Sequence, residues 1–170
     1  MEKIKKFLFA GGSQSMNVPE QAARALNDLF ARQALTSGAI AIQAAANPGA
    51  KTTATISAVV EGKLIQVAAG NLPALTGYNL TANQFGAVIF TVDLAGAFGV
   101  YFAQPAAALN GVVLPPIPER SGTSGLPQIP VGMLILANGA SAFTGGTTAL
   151  DSITTTYINT VGPLVPTSLF

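Results

Sequence analysis

A chain of 170 residues is long enough for one domain with a sizeable core and an arm, and short for two independently folded halves. Only 9% of its residues are charged while 49% are hydrophobic and the mean hydropathy is +0.49, so a membrane or a protein partner must cover part of the surface. A net charge of +1 with scattered basic residues argues against a nucleic-acid partner; the absence of cysteine removes disulfides and thiol nucleophiles, and the absence of histidine removes the commonest general base and metal ligand.

The first stretch, MEKIKKFLFAGG, has a basic start, but its apolar run from Phe7 to Ala10 is shorter than the roughly 7–15 residues of a signal-peptide core, so it reads as retained. Lys3, Lys5 and Lys6 beside Phe7, Leu8 and Phe9 form a small apolar plug with basic flanks on a Gly/Ser tether. These six are the candidate partner-binding residues of an N-terminal arm. From Pro19 the spacing predicts one helix: Ala22, Ala23, Leu26, Leu29, Phe30 and Ala34 share a side, with Glu20, Arg24, Asp28 and Arg32 opposite, and Ser37-Gly38 stops it. Residues 1–37 are therefore expected as arm and helix, and 38–170 as a β body.

After Gly38 the vocabulary is that of strands and turns. TTATISAVVEGKLIQVAA predicts a hairpin in which Thr53 to Val60 alternates and Glu61-Gly62 turns the chain into Lys63 to Ala69. Further strands are expected at 39–45, 86–92, 97–103, 111–114, 131–137 and 153–161. Two stretches lack a period, 71–84 and 114–130, and the second, rich in proline, reads as an extended crossover. Beyond it come an apolar strand, an Asn138-Gly139 turn and another short strand expected in the same sheet system, and then a threonine-rich closing strand. The most apolar window, 86–118, is interrupted by Asp93, Gln104, Pro105, Asn110 and Pro115-Pro116, so it holds no span of about 20 clean apolar residues. The expected fold is mainly β, an antiparallel β-sandwich or jelly-roll-like body with an N-terminal arm and one helix.

Chemistry is scarce along this body. Its carboxylates, Glu61, Asp93, Glu119 and Asp151, sit in no motif, although a glycosidase-type pair needs only that two of them come within about 5–9 Å. GGSQS (11–15) and SGTSG (121–125) match no phosphate loop and read as turns, and Asn79-Leu80-Thr81 reads as a chance sequon. The residues name no catalytic, cofactor-binding or metal-binding group, and the expectation is a protein that is not an enzyme.

The order of the C-terminal third, LPQIP, VGMLILANG, AFTGGTTALDS and a Thr/Tyr strand, resembles a pattern of bacteriophage virion structural proteins. In these a proline segment, an apolar strand and an F-x-x-GTT-x-LD element close a β domain. Over residues 114–161 the likeness is to capsid cement, or head decoration, proteins. That resemblance implies a β-sandwich that self-associates, often as a homotrimer, on the outer surface of the virion. There it would bind the major capsid protein lattice across capsomer junctions, without cofactor, nucleic acid or membrane. The alternatives are a tail, collar or fibre component of the virion, or a glycan-binding adhesin module. The second is disfavoured by the absence of tryptophan and the few tyrosines.

Overall fold

The computed structural model describes residues 30–162. The body is mainly β and all its strand pairs are antiparallel. One sheet has β1 (Arg32–Ala34), β4 (Ile56–Val60) and β5 (Lys63–Val67) in the order β1-β4-β5. The other has β7 (Phe85–Asp93), β8 (Phe98–Phe102), β9 (Gln128–Ala137) and β11 (Thr154–Asn159) in the order β11-β9-β7-β8. Two ribbons complete the body: β2 (Ile40–Ile42) with β3 (Ala50–Thr52), and β6 (Asn79–Leu80) with β10 (Phe143–Thr144).

Side-chain alternation explains the sandwich. Ile56, Ala58 and Val60 point inward from β4, and Val88, Phe90 and Val92 from β7 and Leu134 and Leu136 from β9 meet them in one core. The opposite face of the larger sheet, with Ala87, Ile89 and Met133, is covered by Ala103, Val112, Leu114 and Ile117 of the segment between β8 and β9. With both faces covered, β7 loses its alternation and reads as a continuous apolar run. Strand β9 carries a bulge: Phe90 pairs with Gly132 but Thr91 with Pro130, leaving Val131 extra. Pro130, with no N–H for a ladder, sits beside that irregularity, where proline is tolerated.

The hairpin read from sequence is present, with Val60 opposite Lys63 and Ile56 opposite Val67. Its two-residue turn has φ of 48° at Glu61 and 74° at Gly62, the left-handed pair that matches strand twist.

Four expectations are corrected. Arg32–Ala34, expected at the end of the helix, is a strand paired with β4; the rest of the expected helix, before Phe30, falls outside the described residues. Pairing with an open edge of β4 and burial of Ala34 override the local helical period there, and the body starts before residue 38. The stretch 111–114 is not a strand: a 3-10 turn at Leu109–Gly111 leads to a single bridge, Gln104 to Val113, after which Pro115 and Pro116 lack donors to extend it. Strand β10 pairs with β6 in a separate ribbon and does not join the sheet of β9. Strand β6 lies within 71–84, a stretch read as lacking a period, and at two residues is too short to show one; the short strand β3 is not among those expected from sequence. Among the described residues no helix is long and apolar enough to cross a membrane.

Candidate interaction surface

The arm residues singled out by sequence, Lys3, Lys5, Lys6, Phe7, Leu8 and Phe9, lie outside the described residues. The place where their segment enters the body is described. Ala34 of β1 is bridged to Gly162, whose N–H donates to the Ala34 carbonyl at 2.7 Å. The two ends of the described chain are thus side by side on one edge, and Phe30, Leu35 and Val161, each more than 40% exposed, flank that point. Large apolar side chains left in water around one edge define a surface that gains from being covered.

Beside it stands a charge cluster that sequence spacing did not show. Arg32 Nη2 lies 3.2 Å from Glu61 Oε1, and its Nη1 lies 3.4 Å from Glu119 Oε1. One guanidinium therefore joins β1 to the β4–β5 turn and to the crossover. The two carboxylates that come together do so around a cation on an open surface, with Glu119 81% exposed, which is an ion-pair network and not an enclosed acid-base pair.

The other two carboxylates are equally committed. Buried Asp93 accepts the N–H groups of Ala95 and Ala97 through Oδ1, both at 2.9 Å, and the Ser124 hydroxyl through Oδ2 at 2.7 Å. It fixes the turn after β7 and pins the SGTSG segment to it. Amides of that segment are used internally: Thr123 and Ser124 donate to Ser121 Oγ, and Gly125 to the Ser121 carbonyl. No cradle of free N–H groups remains there for a phosphate. Asp151 accepts the Ala46 N–H at 2.8 Å, tying the β2–β3 loop to the closing segment.

Two polar clusters lie within the fold. Gln128 accepts from the Thr91 hydroxyl at 2.9 Å and donates to the Tyr101 hydroxyl at 2.6 Å and the Pro118 carbonyl at 2.9 Å, which seats the crossover on the sheet. Tyr78 stacks on Phe102 with centroids 4.9 Å apart and accepts the Ala87 N–H. Burial pushes its phenol up to about 12, the Ala87 N–H offsetting part of the rise. Tyr157 is raised as well, first by burial and then by the charge of Asp151.

A cavity of about 230 Å³ lies between the loop after β9 and the segment before β11. Its Asn138 amide donates to the Leu80 and Thr81 carbonyls, Thr148 Oγ1 accepts the Thr144 N–H, and Ser152 donates to the Ala149 carbonyl. These polar groups already hold the loops together. Among the described residues no group of three His, Cys, Asp or Glu is placed to hold a metal ion.

No family model, curated protein or solved structure matches this chain. The arrangement offers exposed apolar side chains at one edge and paired surface charges.

Proposed function

We propose that this protein is a non-catalytic structural subunit of a virion, of the capsid cement kind, that binds the major capsid protein lattice on the outside of a phage head across capsomer junctions. One observation carries the reading: Glu61, Asp93, Glu119 and Asp151 are all bound to structural partners, on a body whose sequence from Leu64 to Pro118 holds no other charge than Asp93. The element behind the resemblance has a closing role that fits. Phe143 and Leu150 are fully buried and Asp151 holds Ala46, so FTGGTTALD fastens one end of the sandwich. The ends of the described chain lie together at Ala34 and Gly162, which lets the two extensions act on one neighbour, and several modest contacts then add through avidity.

The test compares heat-induced genome release from particles with and without the chain. Particles lacking it should release at lower temperature, and purified protein added back should restore the loss, because a ligand of the intact lattice stabilises it by mass action. Unchanged heat resistance with failed attachment to cells would move the protein to a tail fibre or adhesin.

A further inference from the structure

Strand β8, Phe98–Phe102, is an edge of the four-stranded sheet, and its sequence FGVYF has no charge and no proline. Its pairing with β7 is also free of register shifts. Sheets normally guard such an edge with lysine, proline or a bulge, because an unpaired row of backbone groups is a template for another strand.

The directions of the backbone groups follow from the ends of the ladder. Ala103 N–H donates to Ala87 at 2.9 Å and Asp93 N–H to Ala97 at 3.0 Å, so residues 97, 99, 101 and 103 turn toward β7. Phe98, Val100 and Phe102 consequently turn their N–H and C=O groups outward. Gln104 N–H is taken by Val113 at 3.2 Å, and extending that register would set Pro115, which has no N–H, against Phe102. Among the described residues no hydrogen bond reaches the outward groups of Phe98, Val100 or Phe102. The other edges differ: β5 begins with Lys63, the Asn159 side-chain oxygen at the end of β11 accepts the Ile40 N–H, and β1 is bridged to Gly162 at Ala34.

We infer that this edge is occupied by β8 of a second copy, paired antiparallel about a twofold axis at Val100. In that register Phe98 faces the partner subunit's Phe102, Gly99 faces the partner subunit's Tyr101, and Val100 faces the partner subunit's Val100. Every outward group on both strands is then bonded, whereas a shift of two residues leaves some unpaired and brings up Gln104, already engaged. Like charges directly opposite one another normally prevent an edge from pairing with itself, and here none meet. Small Gly99 opposite large Tyr101 avoids a steric conflict. Phe98, Val100 and Phe102, half-buried at the rim of the main core, would be covered by their counterparts. The contact is isologous and closes at two copies, in contrast to the threefold oligomer the resemblance implies. It does not depend on the virion reading.

The chain has no cysteine, so Val100→Cys is a clean reporter. Directly opposed antiparallel residues have Cα atoms about 5.5 Å apart, within the roughly 4.4–6.8 Å that a disulfide spans. Mild oxidation should give a disulfide dimer, while Leu64→Cys, exposed on β5, should stay uncrosslinked. Light scattering of the unaltered protein should give twice the 17.2 kDa chain mass, and Val100→Pro, which removes the central outward N–H without touching a bond to β7, should halve it. A single-chain or threefold mass, or a dimer in which Val100→Cys does not crosslink, overturns the proposal. Should Val100→Pro fail to fold, hydrogen exchange of the unaltered protein decides. Slow exchange at Phe98, Val100 and Phe102 that strengthens with concentration supports the twofold pair. Fast exchange, or protection independent of concentration, overturns it, the latter assigning the edge to the chain's own terminal segments.

Discussion

The hydroxyl of Tyr78 accepts the N–H of Ala87 at 3.0 Å, at the point where the ladder alongside β7 is interrupted between the Phe85–Ala106 bridge and the Ala87–Ala103 bond. A side chain there replaces a strand as acceptor. Neighbouring Gly86 makes the approach possible, because a Cβ on it would collide with the Tyr78 hydroxyl.

Tyr78→Phe should therefore destabilise the body by about 1–3 kcal/mol, the cost of a buried N–H left without its partner, read as a lower urea midpoint at unchanged slope. The phenol also ties stability to pH. Its folded-state value, about 12, lies above the ordinary 10, so folding favours the protonated form. That contribution is complete below pH 10 and is lost as pH rises toward 12. The unaltered protein should lose more stability across this window than Tyr78→Phe does, and equal losses would contradict the assignment.

Glu61 sets two effects against each other. Its left-handed φ of 48° costs about 1–2 kcal/mol for a residue with a Cβ, while its exposed ion pair with Arg32 contributes about 0.2–1 kcal/mol. The conformational term is the larger. Glu61→Asn, giving the Asn-Gly pair that this turn favours, should raise the melting temperature despite the lost charge. Arg32→Ala, which keeps the strained turn and removes both pairs, should lower it, with a difference that shrinks in 1 M salt, where the Debye length is about 3 Å.

Asp93 should be among the costliest polar residues to replace. Asp93→Ala leaves two turn amides and the Ser124 hydroxyl without an acceptor, a loss of about 3 kcal/mol or more given that bonds to charged groups are worth roughly 1.5–3 each. Ser124→Ala removes the tie to Asp93 and the acceptor of the Leu126 N–H at 3.2 Å but leaves both turn amides bonded to Asp93, so it should cost less than Asp93→Ala by the same reasoning. Equal effects in urea unfolding would mean that the turn amides find water instead.

How far these features were legible depends on the distance over which they are made. The β4–β5 hairpin was readable because alternation and a two-residue turn are local. Strand β1 was misread because Arg32 and Ala34 fit a helical wheel, and only the edge of β4, far along the chain, makes them a strand. The Arg32–Glu61–Glu119 cluster joins three separate segments and leaves no spacing signal. Asp93 was closer to readable: an Asp opening D-L-A-G is a side-chain-capped turn in prospect. That FGVYF is a strand was visible, but its lying at an edge is a property of the sheet order.

The last prediction concerns the arm, whose segment enters the body beside Ala34 and Gly162. Deleting residues 1–16 should leave the described strands folded, since β1 begins at Arg32, while abolishing binding to particles. Two substitution sets separate the forces involved. Replacing Lys3, Lys5 and Lys6 with glutamine removes a term that acts over about 10 Å at 0.1 M salt, so its effect should be largest at low ionic strength and should appear mainly in the association rate. Replacing Phe7, Leu8 and Phe9 with serine removes apolar contact worth about 1.5–3 kcal/mol per fully buried side chain, so binding should weaken at every salt concentration, chiefly through faster dissociation. If the deletion bound particles as well as the full chain, the arm would have no part in lattice contact, and the apolar edge around Phe30, Leu35 and Val161 would remain as the surface that makes it.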